Sequence, residues 1–210
     1  MIYDSYRYIY PPRPENKIPL ESLSLFDNGS LIAEPKFNGT CGPMFFNQKI
    51  FKAMNRHNAE LTTYKLDPAE LRDLFTNKKW NSILGEYMNK SKKDSNGVFN
   101  HKFVIFDMLV YNGEYLLGTT FEERWQMLYN RFKHSIIKED DYSYQISDNT
   151  WLVKIWYENF ESIWNKITKI DMIEGLVLKK KDAKLLVGNV EKNNNKSQFK
   201  CRKSTLNYQY

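Results

Sequence analysis

Apolar residues run almost without a break from Lys102 to Tyr111 (KFVIFDMLVY), which predicts a strand at the centre of a sheet, closed by the turn signal Asn112-Gly113. Further strand-like runs fall at Ile50 to Asn55, Trp80 to Met88, Trp151 to Tyr157, Met172 to Lys179 and Gln198 to Arg202. Leu31 to Ala33 and Met44 to Phe46 flank the turn residues Asn38, Gly39 and Thr40, a hairpin-like pattern. Helical spacing replaces alternation at Phe121, Trp125, Leu128 and Phe132, behind the capping box Thr120 to Glu123, and again at Phe160, Ile163, Trp164 and Ile167. Asp67, Pro68 and Glu70 open a short helix that runs to Phe75. Prolines at 11, 12, 14 and 19 make residues 1–19 an extended arm, whose tyrosines and arginines either pack on the domain or touch a nucleotide or polynucleotide. The polar segments 89–97 (NKSKKDSNG) and 191–196 read as loops.

Alternation also fixes which side chains can act together. Lys200 and Arg202 are two apart, so a strand aims both at one face, as a two-pronged phosphate clamp requires. Glu174 and Lys179 are an odd number apart and fall on opposite faces unless a bulge intervenes, for which Gly175 is the natural place.

The composition, 41% hydrophobic and 15% aromatic over 210 residues, suits one well-buried domain. No apolar run is long enough for a membrane span and the N-terminus lacks a signal-peptide pattern, so no membrane partner and a cytoplasmic location are expected. Cys41 and Cys201 lie in no paired spacing and the three histidines are scattered; a zinc site is not expected, and both cysteines read as reduced core residues. The formal charge of +6 is local: nine Lys or Arg between 179 and 203 face two acids, a net +7 that leaves −1 for the rest. Such a stripe is the footprint of a polyphosphate or nucleic-acid partner, or else a solvated basic tail.

The candidate chemistry centres on Lys36 in LIAEPKFNGTCGPMFF. A lysine flanked by apolar residues can have its ammonium form destabilised by desolvation, giving the amine that nucleophilic catalysis needs. On its own it reads as a solvated surface residue. In order after it come Arg56 at the end of a strand-like run, Glu86 in LGEY, Phe106 in FVIFD, Glu174 and Lys179 in EGLVLK, and Lys200 with Arg202 in FKCR.

This ordered set resembles the covalent nucleotidyltransferase superfamily of ATP-dependent DNA ligases, RNA ligases and messenger-RNA capping enzymes, over nearly the whole chain. The resemblance implies an α+β, ATP-grasp-like domain of two mainly antiparallel sheets with flanking helices and the nucleotide in the groove between them. It implies that Lys36, with Gly39, is the nucleophile; that Arg56 holds phosphate oxygens; that Glu86 reads the ribose; and that Phe106 stacks on the base, with Glu34 also near it. Glu174 would serve the metal, Lys179 closes that motif, and Lys200 and Arg202 hold the α-phosphate. The implied cofactors are ATP and Mg²⁺ (or Mn²⁺), and the implied partner is nucleic acid with a 5′-phosphate and a 3′-hydroxyl. Where DNA ligases carry Asp and Arg, this chain has Asn38 and Cys41. Lys-x-x-Gly-Thr with Lys200-Cys201-Arg202 is closer to one group of RNA ligases, whereas MNRHN at 54–58 is similar to small phage-type DNA ligases, so DNA and RNA both stay open and the host cytoplasm is the expected location. The domain expected is 1–210 without an OB-fold domain, a role that the arm, the lysine-rich loop or a helper protein would fill. A GTP-using capping-type enzyme and a non-catalytic nucleic-acid-binding protein are the alternatives.

Overall fold

The structure, a computed structural model, describes residues 1–192 and 196–204; Asn193 to Asn195 of the expected 191–196 loop lie outside the described residues. In chain order its strands are β1 (Asn16–Lys17), β2 (Leu31–Phe37), β3 (Thr40–Phe46), β4 (Phe51–Ala53), β5 (Asn81–Met88), β6 (Lys102–Tyr111), β7 (Glu114–Tyr115), β8 (Lys138–Glu139), β9 (Ser143–Gln145), β10 (Thr150–Val153), β11 (Ile173–Lys180) and β12 (Gln198–Arg202). Its α-helices are α1 (Pro68–Leu74), α2 (Phe121–Phe132) and α3 (Phe160–Ile167), and Leu20–Phe26 forms a 3-10 helix.

The strands form two sheets. The larger runs β4-β3-β5-β6-β10-β9-β8 with β7 beside β6, and the smaller runs β1-β12-β11-β2. Pairing is antiparallel except for β1 with β12 and β10 with β6. The expected α+β architecture of two mainly antiparallel sheets is thus the one observed. As its apolar run predicts, β6 is internal to the large sheet, with Phe103, Val104, Ile105, Met108, Leu109 and Val110 buried. The α2 helix starts with the predicted capping box: Glu123 N donates to Thr120 Oγ1 and Thr120 N to Glu123 Oε2. It packs its apolar stripe on β6, and Trp125 Nε1 donates to the Val153 carbonyl. The α1 helix begins at Asp67, whose carboxylate accepts from Ala69 N.

The hairpin reading of Leu31 to Phe46 is corrected. β2 pairs with β11 in the small sheet, whereas β3 pairs with β4 and β5 in the large one. Asn38 and Gly39 therefore carry the chain between sheets. Gly39 lies so close to β5 that a Cβ on it would overlap the Tyr87 carbonyl, so this crossing is tight, and a groove opens where the two sheets part.

Two strands are shorter than expected. The run from Ile50 narrows to Phe51–Ala53 because the Asn55 side chain accepts from His57 N and Ala59 N and turns the backbone. The run from Trp151 leaves the large sheet after Val153, and Trp156 exchanges both backbone hydrogen bonds with Ala33 of the small sheet.

The N-terminal arm is extended, as expected, and its first tyrosines take the first of the two alternatives and pack on the domain, Tyr3 buried and Tyr6 and Tyr8 half-buried. Tyr3, Tyr6 and Tyr8 pack around Phe45, with Trp80 beside the first two. Further along, β1 pairs with β12. The arm thus touches the large sheet at one end and the small sheet at the other.

Candidate active site

Between the sheets lies a cavity of about 580 Å³. Its walls bring together Glu34, Lys36, Gly39, Arg56, Glu86, Phe106, Glu174, Lys200 and Arg202, nine of the ten residues singled out from the sequence. Lys179 is the exception. It is buried behind the wall with its Nζ 2.7 Å from Glu34 Oε1, 3.7 Å from the centre of the Phe121 ring and 5.1 Å from that of Phe106. Its place is beneath the site, where it neutralises Glu34 and supports Phe106 by cation–π contact.

Lys36 sits one residue before the end of β2, and its Nζ donates to Glu174 Oε2 at 2.6 Å. The expected apolar surroundings are thus replaced by a carboxylate. Arg202 holds the same carboxylate, with Nη2 3.2 Å from Oε1 and Nε 3.2 Å from Oε2. The bulge anticipated at Gly175 makes this possible. β11 pairs Ile173 with Phe37 and Gly175 with Lys36, so Glu174 is the extra residue between two consecutive β2 partners. Gly175 takes φ +151°, and a Cβ there would overlap the Cys201 carbonyl oxygen and the Trp164 ring. Lys200 and Arg202, two apart on β12, both line the cavity, as strand alternation predicts.

The electrostatics are those of an anion site with two raised carboxylates. Burial lowers the Lys200 ammonium below its ordinary range, and the neighbouring charges of Arg202, Lys36, Lys17 and Arg56 lower it further. Cations crowded in this way are relieved by a polyanion. Burial pushes the Glu86 carboxyl up to about 7, against the pull of Lys36 and of Gly39 N, which donates to Glu86 Oε1 at 3.0 Å. Burial also raises Glu34, although Lys179 pulls it back, and Glu34 Oε2 has no hydrogen-bond partner. Phe106 is half-buried and offers an aromatic surface to the cavity, so it is not the ordinary core residue its strand suggests. Cys41 also lines the cavity instead of the core, and burial pushes its thiol up to about 12; Cys201 is buried, and neither forms a disulfide.

Three residues of this region were not singled out. Asp107 next to Phe106 accepts from Arg124 Nε at 2.7 Å and Nη2 at 2.9 Å, a buried bidentate pair that locks β6 to α2. The available signal was one acid in an otherwise apolar strand and one arginine beside the apolar stripe of a helix, charges that burial obliges to pair. Arg13, in Pro12-Arg13-Pro14 of the arm, reaches the cavity; the sequence offered the arm's arginines as a group for contact with a nucleotide or polynucleotide, without distinguishing this one. His57, one of the three scattered histidines, lines the cavity, with Arg56 Nε donating to its Nε2 and its Nδ1 3.0 Å from Glu191 Oε1.

Among curated proteins no sequence match is found. Solved structures match the fold: a mycobacterial DNA ligase D complexed with ATP and MES superimposes with TM-score 0.67 at 16% identity, covering 92% of this chain and 60% of that one. A Lig E DNA ligase, described as binding DNA with a minimal scaffold, gives 0.54 at 16%, covering 93% and 70%. A mutant Naegleria gruberi RNA ligase with AMP and Mn gives 0.50 at 13%, covering 96% and 58%. The chain spans about 60% of the length of the DNA ligase D structures it matches. The sequence pattern of the ATP dependent DNA ligase domain matches residues 82–197, which include Glu86, Phe106, Glu174 and Lys179 and exclude Lys36. That stretch is more than half of the 210 residues and supplies the strands that carry Glu86, Phe106 and Glu174, so the chain belongs to the family of ATP-dependent DNA ligase domains.

Proposed function

We propose that this domain performs the self-adenylylation of an ATP-dependent polynucleotide ligase and passes the adenylate to a nucleic-acid end. The observation that carries the reading is Lys36 Nζ held by Glu174 on the wall of a cavity shared with Arg56, Lys200 and Arg202. The Lys36 amine, once it has shed its proton, attacks the α-phosphorus of ATP. A nitrogen–phosphorus bond forms, and pyrophosphate leaves with the electron pair of the broken phosphorus–oxygen bond. Glu174, at 2.6 Å, is the nearest acceptor for the proton. Lys200 and Arg202 stabilise the charge on the α-phosphate, and Arg56 holds phosphate oxygens in its planar fork. Glu86 accepts from ribose hydroxyls, the Phe106 ring stacks on adenine, and the unpartnered Glu34 Oε2 is available to the base edge. Lys179 acts on the base pocket through Glu34 and Phe106.

Among the described residues no three His, Cys, Asp or Glu side chains cluster as a ready-made metal cage. The donors nevertheless fit Mg²⁺ or Mn²⁺, because Mg²⁺ is commonly held by one or two carboxylates together with substrate phosphates, and Glu174 provides such a carboxylate. When bound, the ion neutralises phosphate charge. In the steps that follow, an oxygen of a 5′-phosphate displaces Lys36 from the adenylate, and a 3′-hydroxyl then displaces AMP to seal a nick in DNA or RNA.

The test is intact-mass analysis of AMP-stripped protein incubated with Mg²⁺ and either ATP or GTP. The expected result is a gain of one adenylate with ATP alone, absent from Lys36→Ala. A guanylate adduct would move the reading to capping-type transfer. No adduct with either nucleotide would leave a nucleic-acid-binding domain.

A further inference from the structure

The cavity mouth carries a chain of paired charges, of which the transfer to Lys36 as proposed above uses Arg56 alone. Arg13 is delivered from the arm between Pro12 and Pro14, and both prolines also line the cavity. Its Nη1 lies 3.0 Å from Glu191 Oε1 and its Nη2 3.3 Å from Glu15 Oε1, while its Nε is buried with no hydrogen-bond partner. The same Glu191 oxygen is 3.0 Å from His57 Nδ1, and Arg56 donates to the opposite nitrogen of that ring. One anionic oxygen therefore sits between an arginine from the arm and a histidine–arginine pair from the loop after β4. The side chains of His57 and Glu191 are 52% and 42% exposed, whereas that of Arg13, at 17%, is as enclosed as those of Lys36 and Glu174 at 21% and 13%, so the Arg13 guanidinium belongs to the cavity wall and its partner carboxylate lies outward of it.

We infer that Arg13 is a phosphate-binding residue for the outer phosphates of the nucleoside triphosphate, and that Glu191 occupies its place until nucleotide displaces it. The inference rests on the adenylylation proposed above. An in-line displacement puts the leaving pyrophosphate on the side of the α-phosphorus away from Lys36, and Arg13 is the cavity-lining cation that the transfer proposed above leaves without a task. There the oxygens of the β- and γ-phosphates meet a guanidinium whose fork matches them, whose Nε is unspent, and whose present partner is a carboxylate with the same donor requirements. The flanking prolines hold the backbone of the arm, so the arginine is positioned at little entropic cost.

The experiment compares two steps in Arg13→Ala, Glu191→Gln and unaltered protein: single-turnover formation of the lysyl adenylate from Mg²⁺ and ATP, and sealing of a nick that already carries AMP on its 5′-phosphate. Arg13→Ala is expected to slow the first step at least tenfold more than the second, because the second involves no triphosphate. Glu191→Gln is expected to lower the ATP concentration for half-maximal adenylylation at least threefold. Equal losses in both steps for Arg13→Ala, no loss in either, or a loss confined to sealing would overturn the inference, the last by assigning Arg13 to the nucleic-acid phosphate. Slower adenylylation in Glu191→Gln, resembling Arg13→Ala, would mean that the pair is a structural brace and would also overturn it. If the unaltered protein forms no adduct, both this inference and the adenylylation reading fall; with adduct present, only the assignment of Arg13 is at stake.

Discussion

At the scale of single residues the site shows a conflict between folding and chemistry. Glu86 lines a cavity shared with Lys36, Arg56, Lys200 and Arg202, yet burial raises its carboxyl from 4.5 to about 7. Between those values the folded protein keeps a proton that the unfolded chain has lost, so this group's contribution to stability falls as the pH rises through the window. Glu86→Gln keeps an acceptor for Gly39 N and removes the charge. It is expected to flatten the fall in melting temperature between pH 5 and pH 8 and to raise the melting temperature above pH 7, by about 2–4 °C for each kcal/mol recovered. Adenylylation should weaken in the same variant, because a ribose hydroxyl donates more strongly to a carboxylate than to an amide. Melting curves across that pH range, read beside single-turnover adenylylation, check both halves; an unchanged slope would remove Glu86 as its source.

At the scale of elements, β11 does the positioning. A regular strand would keep Glu174 in the alternation of its neighbours, and the one-residue bulge brings it instead to Lys36 and Arg202. The backbone at Gly175 tolerates no Cβ, since both the β12 carbonyl at Cys201 and the Trp164 ring of α3 already fill the space. Gly175→Ala should therefore destabilise the protein by about 1–3 kcal/mol or more, as overpacking does, and should also slow adenylylation by displacing Glu174. Urea unfolding together with the adenylylation rate measures the two effects. Wild-type values for both would mean that the bulge neither carries strain nor sets the geometry.

At the scale of the whole molecule, the arm joins the two sheets that form the groove. Tyr3 N donates to the Gly113 carbonyl and Tyr115 N to that of Met1 beside the large sheet, while Ile18 N donates to the Lys200 carbonyl in the small one. Tyr3, 1% exposed, packs its ring against Phe45 and Trp80. Tyr3→Ala is expected to cost about 3–5 kcal/mol, the range for truncating a large buried aromatic. The cost appears as a lower midpoint in urea, with binding of ATP weakened as the sheets lose their strap. A loss under about 1 kcal/mol would show that the arm is merely laid on the surface.

Much of this was legible in the sequence because it depends on near neighbours. The central strand β6, the capped helix α2, the shared face of Lys200 and Arg202 and the bulge at Gly175 all follow from periodicity and local backbone chemistry, and the ordered motifs point to the nine residues that meet in the cavity. Other features were decided by groups distant along the chain. Whether β2 and β3 form a hairpin or part into two sheets depends on β11 and β5, which compete for their edges from far downstream. That Lys179 lies behind the cavity wall, that Cys41 faces the cavity, and that Arg13 meets Glu191 depend on which surfaces the folded sheets bring into contact. Backbone periodicity is a local property and can be read in sequence; side-chain pairing across a groove is set by packing, so only the tertiary structure settles it.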